Sequence, residues 1–261
     1  MPLQTHYLCS DLHDDVEALE VFADFVQAQG ANGIQVLGDL ALRPYSKSDL
    51  DEYYLTKNLD LFIERKRNHA QITLREMKRI LNSSGVPYNV IPGNYDSNKD
   101  LEAVFGMNNL HRQSLFLGEA KTTGYGGADD YPPHISILAE KGEIVPFDNQ
   151  ELYDLLVAEQ PAIGIIHTPP QRLCDDRYNG HHVGTPASAT YLVRYSPKQI
   201  WSGHIHEAGP NGSNPNGVKG VAAYQGRKGW TVVLNPGNLG RWETIYPDHY
   251  RLTKPILLEL L

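Results

Sequence analysis

The apolar positions of this chain fall into short runs that stop abruptly at polar residues. Tyr7-Leu8-Cys9 stops at Ser10-Asp11-Leu12-His13, Ile34-Gln35-Val36-Leu37 at Gly38-Asp39, and Tyr88-Asn89-Val90-Ile91 at Pro92-Gly93-Asn94-Tyr95-Asp96. Ile163-Gly164-Ile165-Ile166, stopping at His167, and Lys198-Gln199-Ile200-Trp201, stopping before Gly203-His204-Ile205-His206, repeat the pattern. Runs this short, bounded by turn residues, read as buried strands. Between the first two, Val16, Leu19, Phe22, Ala23 and Val26 recur at helical spacing, which predicts an amphipathic helix over 14–29 closed by Gly30. Strand, helix, strand at this spacing is a βαβ unit, whose strands run parallel.

Residues 47–82 are rich in Leu, Lys, Glu and Arg, with a weak interruption near Asn68-His69, and predict two helices. This helical insertion is longer than a crossover needs; it either covers one sheet face or forms a cap or dimer element. Residues 106–150 carry short β-like runs (115–117 and 134–138) between Gly and Pro clusters, and 151–158 reads as helix. A turn-rich loop follows at 207–220, and 231–234 and 256–260 supply closing strands. No repeat or linker interrupts the pattern. The expectation is a single domain over 1–261 with the insertion at about 47–82, of α/β (α+β) class with βαβ units in its N-terminal half.

Composition narrows the setting. The 261 residues are 41% apolar and 21% charged, ordinary for a folded soluble protein. A formal net charge of −8 argues against a surface built to grip nucleic acid, and Arg65-Lys66-Arg67, the one short basic cluster, reads as a solvated helix face. Two cysteines, Cys9 and Cys174, cannot form a disulfide framework, which points to a reducing compartment; Cys9 reads as a small buried hydrophobe. No apolar stretch has membrane-spanning length, and Met1-Pro2-Leu3-Gln4 lacks the pattern of a signal peptide. A cytoplasmic protein with no membrane partner is expected; its oligomeric state is left open.

The chemistry gathers at the strand ends. Asp11 and His13, Asp39, Asn94, His167, then His204 and His206 each follow a strand, where the crevice of an α/β sheet lies. Asp11 and His13 are expected to alternate along an extended segment and leave it on one side, and His204 and His206 to repeat that geometry. Gly38, Gly93 and Gly203 would let the backbone turn sharply close to a ligand. Singly, Asp11, Asp39 or Asn94 would be a strand-end cap, and His167 a structural histidine. Seven together, in this order, point to a metal site. Two carboxylates, one amide oxygen and four imidazoles are too rich in nitrogen for calcium and lack the thiolates of structural zinc. They suit two divalent transition-metal ions (Mn, Fe, Zn, Ni or Co), manganese foremost. Asp96 reads as orienting a neighbour, Arg43 as a candidate phosphate contact, and His181 and His182 as exposed loop residues able to reach substrate.

Asp11-x-His13, Gly38-Asp39, Gly93-Asn94-x-Asp96, His167 and Gly203-His204-x-His206 together resemble the ordered signature of the calcineurin-like metallophosphoesterases, from residue 6 to about 240. His167-Thr168-Pro169-Pro170, Gly203-His204-Ile205-His206-Glu207 and Asn235-Pro236-Gly237 are most similar to the small, stand-alone bacterial and archaeal members. The resemblance implies a β-sandwich flanked by helices. It also implies one metal on Asp11, His13, Asp39 and His206 and another on Asp39, Asn94, His167 and His204, with Asp39 bridging. The implied activity is that of a dinuclear phosphoesterase, a phosphodiesterase or phosphatase acting on a small phosphorylated substrate through a hydroxide between the metals. Asp39, Asn94, Tyr95 and Asp96 would form the catalytic set. One position departs: the family commonly has His where this chain has Tyr95, a weaker proton donor. Diesters or activated esters are therefore expected to react better than simple alkyl monoesters. Two other readings share the pattern: a non-catalytic metal-binding scaffold, disfavoured by the complete ligand set, and a nuclease, disfavoured by the acidic balance.

Overall fold

A computed structural model describes residues 4–41, 52, 55–129, 138–177, 180–209, 220–240 and 256–260. In chain order the elements are β1 (Gln4–Cys9), α1 (Val16–Ala28), β2 (Gly33–Val36), α2 (Leu59–Ser83), β3 (Tyr88–Val90), α3 (Asn98–Phe105), β4 (Gln113–Leu117) and β5 (Ala120–Tyr125). There follow α4 (Asn149–Glu159), β6 (Ile163–Ile166), α5 (Pro186–Tyr195), β7 (Gln199–Trp201), β8 (Val221–Gln225), β9 (Trp230–Leu234) and β10 (Ile256–Leu260).

The strands form two sheets. One has the order β10-β1-β2-β3, the other β4-β5-β6-β7-β9-β8. β1, β2 and β3 are parallel, as are β5, β6, β7 and β9, while β10, β4 and β8 pair antiparallel at the edges. Both faces of the central strands are covered, which is why they read as short, mainly apolar runs without strict alternation, and even Gln35 on β2 is buried. Leu8, Leu37, Ile91, Ile163, Ile165, Trp201 and Leu234 interdigitate between the sheets. Tyr7, Cys9, Ile34, Val36, Tyr88 and Val90 turn the other way, onto apolar residues of α1, α2 and α3. α4 and α5 pack with Ile166, Ile200 and Val233 on the outer face of the second sheet. The result is a mixed α/β sandwich of two sheets flanked by helices. Among the described residues no helix is long and apolar enough to cross a membrane.

Three expectations change. α2 runs through Asn68 and His69 without a break; the interruption falls instead at Lys57-Asn58, with Glu52, Leu55 and Thr56 helical before it. The modest helix propensities of Asn and His are overridden by Ala70, Leu74, Met77 and Leu81, which bury one face in the core. Residues 47–51 and 53–54 of the predicted insertion lie outside the described residues. Lys66 is not on a solvated face: it is 2% exposed. Of the predicted run 134–138, only Leu138 is described, and it opens a helical turn. β5 was concealed by its polar composition, since Thr122 and Thr123 are buried yet carry no apolar signal. α3, α5 and β8 are further elements that the hydropathy pattern does not reveal.

Candidate metal centre

The parallel strands bring their carboxyl ends to one edge of the sandwich, and the loops there lock together through backbone bonds. The Asp11, His13 and Asp14 amides donate to the carbonyls of Gly38, Asp39 and Leu40 at 2.9, 3.0 and 2.9 Å, and the Gly203 amide donates to His167 O at 2.9 Å. These loops are strained. Asp11 (φ 54°), His13 (47°), Asp14 (70°), Asp39 (52°) and His204 (67°) all occupy the left-handed region. Each costs about 1–2 kcal/mol relative to ordinary backbone, and such strain persists where function demands it. The expected extended alternation of Asp11 with His13 is therefore absent. His204 and His206 do not share a side either: His206 opens a short 3₁₀ turn, and the two histidines join different clusters.

Space at the centre is tight enough to require glycine. A Cβ built on Gly93 would lie 2.0 Å from Asp39 Oδ1, and one on Gly203 would lie 2.9 Å from Asp11 Oδ2.

Two clusters result. Asp11, His13 and His206 offer ligand atoms within 4.8 Å of one another, and so do Asp39, His167 and His204. In the first, His206 Nε2 lies 3.3 Å from Asp11 Oδ1 and 3.1 Å from His13 Nε2. In the second, His167 Nε2 lies 3.6 Å from Asp39 Oδ2, while Asn94 Oδ1 lies 3.1 Å from His167 Nε2 and 3.0 Å from His204 Nδ1. Asn94 thus joins the second cluster.

The donor set fits metal ions. His167 Nδ1 donates to Leu37 O at 2.6 Å, which orients the ring with Nε2 toward Asn94 Oδ1 and Asp39 Oδ2. Asp11 Oδ1 and His204 Nε2 are buried and make no hydrogen bond. Burial pushes the His13 and His204 imidazoles down to about 4 and about 3, which keeps them neutral at pH 7, the form that ligates metal. His167 shows the site's demand for positive charge: burial lowers its pKa, but the Asp39 carboxylate outweighs this and raises it to about 9. Burial also works against ionised Asp11, yet the imidazoles of His206, His167 and His13 hold its pKa below the usual carboxylate range.

The remaining candidates divide. Asp96 stands behind the centre and accepts from the amides of Gly93 (2.8 Å), Leu40 (3.1 Å) and Ala41 (3.1 Å), clamping the β2 and β3 loops together. Burial, then the charge on Asp39, raises its pKa to about 6. The Tyr95 amide donates to Asp39 Oδ1 at 3.0 Å, and its ring meets His13 edge-on with centroids 6.4 Å apart. Burial and then Asp39 push the Tyr95 phenol far above its ordinary value, so it keeps its proton at neutral pH. His182 turns to Asp175, its Nδ1 2.9 Å from Oδ1, and not to either cluster. His181 is exposed, and Arg43 lies outside the described residues. Asn235 emerges as a support: its Nδ2 donates to Gly203 O at 2.8 Å and to Cys174 O at 3.3 Å, tying the loop before His204 to the one after His167. Its place in Asn235-Pro236-Gly237 is the signal that points to it.

Comparison with known proteins agrees with this geometry. Among solved structures, a protein of Thermus thermophilus is 19% identical over 91% of this chain and 90% of its own, with a TM-score of 0.56. A dimetal phosphatase from Danio rerio is 12% identical over 90% of this chain and 87% of its own, with a TM-score of 0.55. A further solved chain, 17% identical over 99% of both, reaches 0.67. At these identities the likeness is one of fold. No curated protein matches the chain in sequence. The family model of the calcineurin-like phosphoesterases matches residues 6–208, a span that contains both clusters. On that match the chain belongs to the calcineurin-like phosphoesterases.

Proposed function

We propose that this metal-dependent phosphoesterase hydrolyses phosphodiesters at a centre of two divalent ions, one held by Asp11, His13, Asp39 and His206 and the other by Asp39, Asn94, His167 and His204. The observation that carries the reading is the pair of clusters, each drawing its ligand atoms within 4.8 Å, with Asn94 Oδ1 against two imidazoles of the second. When bound, two such ions supply Lewis acidity toward phosphoryl oxygens and a nucleophile from water at neutral pH. The chain's own residues prepare that chemistry. Asp39 is fixed by the Tyr95 amide, Asp11 Oδ2 accepts from the His204 amide at 3.0 Å, and His167 is oriented by Leu37 O.

Proton donation to the leaving group is the weak point of this site. Tyr95 stands where a histidine is usual, and its phenol is held protonated by burial and by Asp39. General acid catalysis is worth about 10²–10⁴-fold, so its loss weighs most on basic leaving groups. Diesters and activated esters are therefore preferred over simple alkyl monoesters. Manganese is the favoured ion, and the physiological substrate is a small phosphorylated molecule.

The test is hydrolysis of paired aryl diester and monoester substrates by stripped protein reloaded with manganese, wild type against Asp39→Asn. Metal-dependent diester turnover that disappears in the variant is expected. An alkyl monoester assayed beside them and turned over equally or better would overturn the diester preference; no turnover with any metal would overturn the enzymatic reading.

A further inference from the structure

Helix α2 does more than cover a sheet. Its second half, from Ala70 to Leu81, packs in the core beneath the first sheet. Its first half extends past the strand ends to the loops of the metal centre. Phe62 and Ile63, with Leu138 and Ile144, form a separate apolar cluster against which Tyr95 packs. About two turns further on, His69 Nε2 lies 2.9 Å from Asp14 Oδ1, next in the chain to His13.

Between them sits Lys66, 2% exposed. Burying an ammonium is costly, and a methionine would fill the same space without that cost. The nearby carboxylates do not explain it by direct pairing. Glu143 is paired with Arg67, Asp100 Oδ1 accepts from Gln71 Nε2 at 2.8 Å, and Asp96 accepts from the Gly93, Leu40 and Ala41 amides. The hydrogen bond of Lys66 goes instead to the carbonyl of Tyr95, at 3.1 Å. Burial lowers the lysine's pKa, while the charges of Asp96, Asp100 and Glu143 act to raise it. Tyr95 is thus held on both sides: its amide donates to Asp39 Oδ1 at 3.0 Å and its carbonyl accepts from Lys66.

We propose that Lys66 is a positioning residue for the metal centre: its buried ammonium holds the Tyr95 carbonyl and, through Tyr95, fixes the carboxylate of Asp39 between the two clusters. This rests on the metal-centre reading above. It gives the insertion between β2 and β3 a role in the chemistry. α2 sets the position of the Asn94–Asp96 loop through the bond from Lys66 to the Tyr95 carbonyl.

Calorimetric titration of the stripped, full-length protein with manganese(II) tests this, on wild type, Lys66→Met and Leu74→Ala. Leu74 lies two turns along the same helix, buried in the core, and serves as a control for lost stability alone. Loss of such an indirect support typically costs about 10–100-fold in metal affinity. Lys66→Met is expected to bind manganese weaker by that factor and to lose kcat on an aryl diester with KM little changed. Leu74→Ala should melt at a lower temperature yet bind manganese as wild type does. If Lys66→Met does not fold, Lys66→Gln is read in the same way. Wild-type affinity and kcat in the folded lysine variant would overturn the inference alone. Absence of manganese binding by wild type would overturn the metal-centre reading and this inference with it.

Discussion

The two sheets reach the metal centre with different chemistry. The β1, β2 and β3 loops bring both carboxylates, the amide and one imidazole: Asp11, Asp39, Asn94 and His13. The loops after β6 and β7 bring imidazoles alone: His167, His204 and His206. The anionic side is also the more strained, with four of the left-handed residues noted above, and it is braced by amides donated to Asp39 and Asp96. Neither sheet completes a cluster. The first cluster takes Asp11 and His13 from one sheet and His206 from the other; the second takes Asp39 from one and His167 and His204 from the other. A metal ion in either position would therefore tie the two halves of the sandwich together, and binding the ions would also stabilise the fold.

That division can be broken most severely at the residue proposed to be shared. Asp39→Asn removes a charge next to His167 and Tyr95 and should lower kcat on an aryl diester by about 10²–10³-fold, roughly 3–4 kcal/mol of transition-state stabilisation. The next effect is on stability. Manganese at a hundred times its dissociation constant should stabilise the folded chain by about 2.7 kcal/mol. Thermal denaturation with and without manganese checks this, and His206→Ala, which removes the second sheet from the first cluster, should diminish the shift. A smaller effect comes from the close packing of the loops. Gly93→Ala drives a methyl toward Asp39 Oδ1, a contact of 2.0 Å without relaxation, and should weaken manganese binding by about 10–100-fold in calorimetry.

The smallest effect compares the sheets away from the metals. Each carries a buried neutral histidine. Burial lowers His6 on β1 to about 4 and His111, just before β4, to about 3. His111 Nδ1 accepts from the Gly126 amide at 2.9 Å, which requires the neutral ring. Both folded values lie below the unfolded value of about 6.5. The stability they contribute is thus present above pH ~6.5 and is lost as the pH falls toward the folded values. Urea midpoints of metal-free protein should fall below pH 6.5, and His111→Gln should flatten that slope by about 1 kcal/mol per pH unit.

The metal loops are legible in the sequence because the physics that places them is local. A buried strand must end, and here each end falls on a side chain of a type able to ligate metal. The two-sheet sandwich follows less directly: β5 hides behind Thr122 and Thr123, which are buried but polar. What is not legible depends on residues far apart. The positive φ of Asp11 and His13 is held by carbonyls of the β2 loop, so an extended reading of Asp-x-His fails. His204 and His206 part company because one chain segment serves both clusters. Lys66 reads as a solvated charge because nothing near it in sequence announces the Tyr95 carbonyl 29 positions away.

The most direct test is a count of ions. Stripped protein saturated with manganese, freed of excess metal and analysed for bound metal should hold two ions per chain, falling to one or fewer in Asp11→Asn and in His167→Ala. One ion or none on wild type, or variants that still hold two, would contradict a centre shared between the two sheets.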